Sequence, residues 1–525
     1  MIHHGELYLR DQVPPRSKHF KLGKFGRLFP TLPSFASDTN QVRGALLRLG
    51  RLGGPMDQGG DNNPDNPDNL PAGFTFFGQF IDHDLTFDPT SSLDRQNDPE
   101  SIENFRTPAF ELDSVYGSGR AASPHLYDIK SGRTKFLIEK LDPNDPASQD
   151  DLPRNSQNVA IIADPRNDEN VIVSQLQLAF LKFHNAVVDR LQRRDPNDPL
   201  VRELPLLEFA DAFAEAQRLV RWHYQWIVLH EFLPLIVGEE IVEDILNTES
   251  PAGAPIPHGH GRDGQRPRGR RFYDWKNKPF IPVEFSVAAY RFGHSMVRPG
   301  YRVNGIDDGF AVPIFDAALV ETPAEPLPDP EDLRGSKRAP RRFVQWTHFF
   351  QIDGIPAPQR RNISKRMDTV LSSALFNLPF KGPTGPNVPD DADVTSLAQR
   401  NLLRHLTFSL PSGQTVAKAM GIEAIDRADL ADLDEFGFAG STPLWFYILR
   451  EAQVKEEGRR LGPVGGRIVA EVFIGLLQGD RQSFLRQDPN WEPMLGAEQG
   501  KFGIADLLKV AGVPLEARVE TPASG

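Results

Sequence analysis

The sequence contains no cysteine among its 525 residues. This absence excludes disulfides, thiolate catalysis, cysteine-ligated zinc and iron–sulfur clusters. Positive charge is also in deficit, since the formal net charge is −12 at pH 7. A protein that binds nucleic acid or an anionic membrane needs a basic surface. We therefore expect neither nucleic acid nor an anionic membrane surface as a partner.

Long apolar runs are missing as well. No run approaches the ~18 residues that a transmembrane helix needs, so no membrane span is expected. The N-terminal residues 1–7 lack the basic segment and apolar run of a signal peptide. We expect a cytoplasmic protein or one exported by a non-classical route, and the sequence leaves the compartment and the oligomeric state open.

The pattern of apolar residues predicts a mainly α-helical protein. Hydrophobic residues make up 39% and charged residues 25% of the chain, as in an ordinary globular protein. Helical spacing predicts long helices at 165–190, with Asp164 as N-cap, and at 206–237 and 282–297. Shorter helices are predicted near 341–353, 366–377, 395–409, 413–420, 441–457 and 464–478. Strand signals are few, so we predict one large helical domain with long loops, in which an N-terminal arm and acidic loop (1–70) pack on a body (71–525).

One predicted helix, around residues 77–88 and capped by Thr75, combines polar and aromatic side chains. Gln79 and His83 are four residues apart and share one face of the helix, while Asp82 flanks that face. Phenylalanines surround them. Burying these groups is costly unless each has a partner, and the neighbouring Asp82 and Asp84 call for a cation, a covalent partner or strong donors. A hydrogen-bonded histidine in the core is the alternative.

Two other segments place polar residues in unusual contexts. Arg166 lies in the first turn of a predicted helix, where the helix dipole disfavours a cation. It either pairs with a nearby aspartate or is donated into a pocket. His294 lies in an apolar stretch three residues after Arg291, and Gly293 lets a flat group approach the backbone. Such a histidine suits axial haem ligation, although a core histidine beside a packing glycine fits equally well.

Partners for these groups can be proposed from two further motifs. Asn401 could hydrogen-bond the non-ligating nitrogen of His294, and Arg404, three residues later, could bind haem propionates together with Arg291. The segment that contains Thr107, Glu111 and Asp113 alternates oxygen-bearing side chains, which with Asp84 and backbone carbonyls would suit Ca²⁺. An ordinary acidic turn is the alternative for that segment.

These motifs together resemble the animal-type haem peroxidases of the peroxidase–cyclooxygenase superfamily. The matching stretches are Gly78–Asp84, Arg166 with Glu169 and the following His184-Asn185, Arg291–His294, and Asn401–Arg404 ahead of Leu410-Pro411. They occur in the family's order, and the resemblance spans about residues 70–480. It implies a helical fold with haem buried between central helices.

The resemblance also implies a role for each matching residue. His83 is the distal base that moves a proton on H₂O₂, Arg166 stabilises the developing charge, and Gln79 orients distal water. His294 is the axial iron ligand, with Asn401 behind it. The implied activity is reduction of H₂O₂ and oxidation of halides or small organic or phenolic donors through a ferryl haem intermediate.

Two cofactor attachments follow from the same resemblance. Asp82 and Glu169 match the carboxylates that form ester bonds to haem b in this family. The family's methionine link is absent, because Asn170 occupies that position, so at most two esters are expected. A calcium ion is expected at a set of five residues, in which Glu111 stands where relatives more often have Asp: Asp84, Thr107, the carbonyl of Ala109, Glu111 and Asp113.

Two other functions remain as alternatives. Fatty-acid dioxygenases and cyclooxygenases share the fold and use a tyrosine three residues before the proximal histidine. Here that position is Arg291, and Tyr290 would point about 100° away on a helix. The other alternative is a haem- or calcium-binding protein without catalysis, against which the joint presence of Gln79, His83 and Arg166 argues.

Overall fold

Helices make up about half of the chain that the computed structural model describes and strands very little of it, which confirms the mainly α fold. The described residues are 25–57, 59, 64–87, 104, 106–141, 148–198, 200, 211–246, 269–275, 279–305, 311–315, 332–335, 343–358, 360–378 and 395–515. His258 and His260, in a predicted loop, lie outside them. Within this part the α-helices are α1 Asn40–Leu49, α2 Gly73–Leu85, α3 Asp113–Tyr116, α4 Gly119–Ala122, α5 Val171–Arg193, α6 Ala212–Ile227, α7 Leu233–Val237, α8 Glu239–Leu246, α9 Leu397–Thr407, α10 Gly413–Met420, α11 Leu444–Glu456, α12 Pro463–Gly479, α13 Phe484–Gln487 and α14 Ile504–Ala511.

Strands are short in the described ranges. β1 Glu139–Lys140 pairs antiparallel with β2 Asp150–Asp151, and β3 Gly300–Tyr301 pairs antiparallel with β4 Val312–Pro313. The N-terminal segment contacts the helices, since Phe35 donates its backbone N–H to the Leu410 carbonyl at 2.8 Å and α1 packs on α9. The division of the chain at residue 70 stays a prediction.

Helix α2 lies in the centre of the protein. Phe80 stacks on Phe180 of α5 with ring centroids 4.6 Å apart. The first residue of α2 must be glycine, because a Cβ on Gly73 would lie 2.4 Å from the Phe350 ring. The predicted cap was wrong: no side chain caps α2, and the Thr75 hydroxyl instead contacts the Ser364 hydroxyl at 2.9 Å. The helix is thus positioned by packing rather than by capping.

Helix α5 begins later than the sequence predicted. Asp164 does cap a helix, but it is a one-turn 3₁₀ helix, Pro165–Asp168. The α-helix begins at Val171, where Asn170 is a second N-cap that accepts from the N–H groups of residues 172 and 173. Two caps in succession separate the short helix that carries Arg166 from the long one. By length and composition alone, helix α5 could cross a membrane. However, 83% of its most apolar stretch is buried inside the protein.

The predicted helices at 206–237 and 282–297 are not regular α-helices. The first consists of α6, a π-helical turn Val228–Phe232 and α7, while residues 201–210 lie outside the described part. The second is a π-helical turn, Glu284–Ala288, followed by a 3₁₀ helix, Ala289–Met296. In a 3₁₀ helix residues three apart eclipse each other, so Arg291 and His294 still share one face.

Two of the shorter predicted helices were wrong. Among the described residues of 341–353 and 366–377, only the 3₁₀ turns Trp346–His348 and Ser373–Phe376 form. In the second of these segments the backbone bonds to distant segments instead: the N–H of Met367 donates to the Gly458 carbonyl, and that of Leu371 to the Met56 carbonyl. Helical periodicity cannot reveal such long-range bonds. Helix α14, which the sequence reading missed, packs on α5.

Candidate active site

His83 is buried on α2 and hydrogen-bonded at one ring nitrogen. Its Nδ1 lies 2.7 Å from Oδ1 of Asn167, and Nδ2 of Asn167 donates to Oε1 of Gln177 at 2.8 Å. Asn167 and Gln177 are fully buried. Sequence reading missed both amides, because Asn167 follows Arg166 on the short 3₁₀ helix and its contact with α2 depends on the tertiary fold.

The second predicted catalytic residue, Arg166, is held from two sides. Its Nε donates to Oδ1 of Asp164 at 3.1 Å, while Nη2 donates to Oδ2 of Asp164 at 2.8 Å and to the carbonyl of His83 at 2.9 Å. The pairing with Asp164 is therefore present. Within the described residues Nη1 has no hydrogen-bond partner, so this nitrogen is left for a ligand. The other role, in which Arg166 is donated into a pocket, stays a prediction.

A second arginine, Arg106, joins the same carboxylate. Its Nη2 donates to Oδ2 of Asp164, and its Nε donates to the His83 carbonyl at 3.2 Å. Phe87 lies under both guanidinium groups, with its ring centroid 5.4 Å from Cζ of Arg106 and 4.7 Å from Cζ of Arg166. No sequence motif indicated Arg106. Asp164 is thus a shared anchor for two cations beside His83.

Burial and these charges determine the protonation states on this side. Burial, with the nearby charge of Arg166, lowers the pKa of His83 to about 4. Burial opposes ionisation of Asp164, but its bonds to Arg166 and the charge of Arg106 outweigh burial and hold the pKa of Asp164 well below its usual range. At neutral pH His83 is therefore neutral and able to accept a proton, while Asp164 is a carboxylate.

Gln79 and Glu169 lie at the edge of this cluster. Oε1 of Gln79 accepts a hydrogen bond from Nδ2 of Asn170 at 3.3 Å, which links α2 to the start of α5. Glu169 keeps a solvent-accessible side chain, yet its surroundings are dense enough that burial raises its pKa to about 7. Asn170, at the position of the family's methionine, serves as a cap and as a partner of Gln79.

On the opposite side, His294 has a similar amide partner. Its Nδ1 lies 2.8 Å from Nδ2 of Asn401 on α9. The two ends of an amide are nearly the same size, so a half-turn of the Asn401 amide puts Oδ1 at this place, where it accepts from Nδ1–H. Burial, with the charges of Arg291 and Arg404, lowers the pKa of His294 to about 3. Nε2 of this neutral ring is then free to bind a metal.

Asp82 connects the two sides. Its charge acts on both His83 and His294, so both rings and the carboxylate border one region. A Cβ built on Gly293 meets no atom within 4 Å, which leaves open space beside His294. Arg291 donates through Nε to the Ser286 carbonyl at 2.9 Å. A neutral histidine, two nearby arginines, open space at a glycine and an accessible Glu169 fit a flat, anionic metal-containing group such as haem.

The predicted calcium residues are brought together only in part. Asp84 is fully buried and accepts from the N–H of Leu112 at 3.1 Å, while burial and the neighbouring Asp113 raise the pKa of Asp84 to about 7. The Thr107 hydroxyl donates to Asp113 at 3.4 Å. Leu112, between Glu111 and Asp113, has a φ of +61°. In the described part of the chain no group of three or more His, Asp or Glu side chains is arranged to hold a metal.

Comparison with known proteins gives the family. The sequence model described as animal haem peroxidase matches residues 93–313. Chorion peroxidase of Drosophila melanogaster is 24% identical over 416 residues, which cover 76% of this chain and 44% of that protein. Peroxidasin of the same organism is 21% identical over 411 residues, covering 72% and 23%. The chain belongs to the animal-type haem peroxidase superfamily. It spans less than half the length of these curated relatives.

Solved structures share the fold of this peroxidase-family chain. Peroxidase A from Dictyostelium discoideum superposes with a TM-score of 0.61 at 17% identity, covering 95% of this chain and 94% of that one. Fatty acid alpha-dioxygenase from Oryza sativa superposes with a TM-score of 0.53 at 14% identity, covering 90% and 76%. The segment matched by the family model contains Arg166, Glu169 and His294 but neither His83 nor Asn401. Identities this low establish the fold and not the reaction.

Proposed function

We propose that this protein is a haem peroxidase that reduces hydrogen peroxide and oxidises halides or small organic donors such as phenols. The observation that carries this proposal is the pair of neutral, amide-bonded histidines, His83 and His294, which border one region together with Asp82. Each ring has its Nδ1 engaged and its Nε2 available. One can therefore bind iron while the other moves a proton.

The residues on the His294 side would hold the haem. His294 would bind the haem iron through Nε2, and Asn401 would fix the orientation of the His294 ring. Arg291 and Arg404, whose charges act on His294, would bind the two propionates. When bound, haem supplies a redox-active iron that cleaves the O–O bond of peroxide.

The residues on the His83 side would act on peroxide. Nε2 of His83 would accept the proton from one peroxide oxygen and return it to the departing oxygen. Nη1 of Arg166 would donate to that oxygen as negative charge develops on it, because Asp164 already holds the rest of the guanidinium in place. Gln79, fixed by Asn170, would orient water or a halide in the same region.

Asp82 and Glu169 are proposed to form ester bonds to the haem. The charge of Asp82 acts on both histidines and on Glu169, and the pKa of about 7 at Glu169 marks a carboxylate that loses little by becoming neutral. Each ester exchanges one methyl hydrogen for a carboxylate oxygen, a two-electron oxidation in which hydrogen peroxide is the oxidant and water the product. After several turnovers, acid–ketone extraction should leave haem on the protein, whereas complete extraction would refute the links.

Calcium is proposed at the buried carboxylate Asp84 and the half-buried Asp113 beside it. Burial and the charge of Asp113 raise the pKa of Asp84, and a divalent cation would stabilise the charged form of such a carboxylate. Thr107, Glu111 and the carbonyl of Ala109 would complete the oxygen ligands. Metal analysis should find one calcium per chain, and prolonged chelation should shift the haem absorption band. An unchanged spectrum in calcium-free protein would remove this proposal.

Fatty-acid dioxygenation is the other activity found on this fold. The position that carries the tyrosine in those enzymes is Arg291 here, and the neighbouring Tyr290 is buried, with its hydroxyl donating to the Gly78 carbonyl at 3.1 Å. The hydroxyl of Tyr290 is therefore engaged by the backbone of α2. These contacts favour peroxidase chemistry.

The deciding experiment measures absorption spectra and turnover of the haem-loaded protein. Hydrogen peroxide is added with bromide, iodide, a phenol and palmitate in separate assays. We expect peroxide-dependent oxidation of the phenol or a halide, and we expect His83→Ala to abolish it while haem stays bound. Full turnover by His83→Ala would refute the mechanism, and oxygen consumption with palmitate would favour the dioxygenase.

A further inference from the structure

Two buried amides, Asn167 and Gln177, stand in line behind His83. Nδ1 of His83 lies 2.7 Å from Oδ1 of Asn167, and Nδ2 of Asn167 lies 2.8 Å from Oε1 of Gln177. Both amide side chains are fully buried and His83 is 5% exposed. Placing two amides in an apolar core is costly, so their hydrogen bonds must be specific to be retained.

The direction of these hydrogen bonds determines what His83 can do. A neutral imidazole has one N–H and one lone pair, and the partner of either nitrogen selects the tautomer. The Asn167 amide uses its N–H group on Gln177, so its oxygen faces the ring and accepts from Nδ1–H. The lone pair is then on Nε2, the only ring nitrogen still open to a substrate.

Both amides lie on well-fixed elements. Asn167 belongs to the 3₁₀ helix Pro165–Asp168, where its own N–H donates to the Asp164 carbonyl at 3.0 Å. Gln177 lies in the second turn of α5, which packs directly on α2. The ring of His83 is thereby fixed from outside its own helix. Asn167 is fully buried, so it would act on a ligand through that ring.

We propose that Asn167 is a positioning residue that holds His83 as its Nδ1–H tautomer, and that Gln177 sets the direction of the Asn167 amide. The chemical use of this tautomer, with Nε2 as the proton acceptor for peroxide, rests on the proposed function. The tautomer itself does not, so the two can be tested separately.

The first test is nitrogen NMR of the full-length, haem-free protein labelled with ¹⁵N-histidine. The protein contains two internal references. His405 donates from Nδ1 to the Asn401 carbonyl and accepts at Nε2 from the Trp445 N–H, so it is an Nδ1–H tautomer. His184 accepts at Nδ1 from the Tyr116 hydroxyl and donates from Nε2 to the Thr134 carbonyl, so it is an Nε2–H tautomer.

We expect His83 to show the coupling pattern of His405 in the wild-type protein. Asn167→Asp keeps an acceptor at Nδ1 and should preserve that pattern, whereas Asn167→Leu removes it and should give a mixture or the pattern of His184. Gln177→Leu, which leaves Asn167 in place but frees its amide to turn, should also give a mixture. A His184-like pattern in the wild type, or an unchanged pattern in Asn167→Leu, would overturn the proposal.

The second test is the rate constant of the haem-loaded protein with peroxide. Asn167→Leu should lower it about 10- to 100-fold without changing the KM for the donor, and Asn167→Asp should recover most of that loss. Asn66→Leu removes another buried amide, which bonds the Arg459 carbonyl, and controls for a general loss of stability. Full activity in Asn167→Leu contradicts the positioning role and leaves the proposed function intact. A wild-type protein that lacks peroxidase activity but shows the expected NMR pattern refutes only the proposed function.

Discussion

The two histidines of the candidate active site have the same kind of partner but different surroundings. His83 lies 2.7 Å from an asparagine oxygen, and His294 lies 2.8 Å from the amide of another asparagine. Beside His83, however, Asp164 holds two arginines. The charges that act on His294 come from Arg291 and Arg404, together with the shared Asp82.

This difference separates the two tasks. On the His83 side, Asp164 neutralises part of the arginine charge and anchors Arg166, so an arginine nitrogen can be presented without displacing the histidine. On the His294 side, two arginine charges act on the ring and suit an anionic cofactor, and the low pKa of His294 keeps the ring neutral for a metal. A buried carboxylate between cations is therefore the feature that marks the side where peroxide would react.

The strongest test of this contrast is Asp164→Asn. The carboxylate is fully buried and serves two guanidinium groups, so its loss should lower the free energy of unfolding by about 3 kcal/mol or more. Urea unfolding measures the change. The control is Asp434→Asn, which breaks the exposed pair with Arg427 and should cost no more than about 1 kcal/mol. Equal losses in the two variants would show that Asp164 is not an anchor.

A comparison of alanine substitutions at His294 and at His83 tests which histidine binds the iron. His294→Ala removes the proposed ligand and should weaken haem binding by about 100-fold or more, since the loss of an outer partner alone costs 10–100-fold. His83→Ala should change haem affinity by less than about threefold, because its ring binds no iron. Titration with haem, followed by the absorption band, gives both constants. The reverse order of affinities would exchange the two assignments.

Protonation gives a third test, on the His83 side alone. The neutral ring is the proton acceptor, and burial penalises its charged form, so reactive His83 is lost only as pH falls through about 4. For a histidine with an ordinary pKa of about 6.5, the neutral fraction of the ring would be roughly 30-fold lower at pH 5 than at pH 8. The rate constant with peroxide should therefore stay flat from pH 8 to pH 5.

A variant can show which cause sets this pH dependence. Arg166 is the second contribution to the low pKa of His83, so Arg166→Gln should move the inflection to higher pH while lowering the overall rate. An inflection near pH 6.5 in the wild-type protein would mean that His83 is less buried in solution than in the structure.

The residues that the sequence identified are those whose chemistry is evident locally. His83 and Gln79 lie on one face of a helix, and Arg291 and His294 keep their three-residue spacing even though the segment is a 3₁₀ helix. Local patterns survive a change of helix type when the spacing fits both.

The residues that the sequence missed act across long separations. Arg106 and Asn167 are 23 and 84 residues from His83, and nothing in their own segments indicates what they contact. The sequence predicts the short helix Pro165–Asp168 as the first turn of α5 for a similar reason. An N-cap indicates where a helix begins but not how long it is. Pairings made by the tertiary fold cannot be read from periodicity.

The smallest expected effect concerns the amide behind His294. Asn401→Leu leaves the ligand in place but removes the group that orients it, so haem affinity should fall about 10-fold, well short of the loss in His294→Ala. Asn401→Asp presents only an acceptor to Nδ1 and should bind haem nearly as well as the wild type. If Asn401→Asp binds haem no better than Asn401→Leu, then Nδ1 of His294 does not donate to residue 401. The two histidines would then share a similar distance to an asparagine but not the same direction of hydrogen bonding.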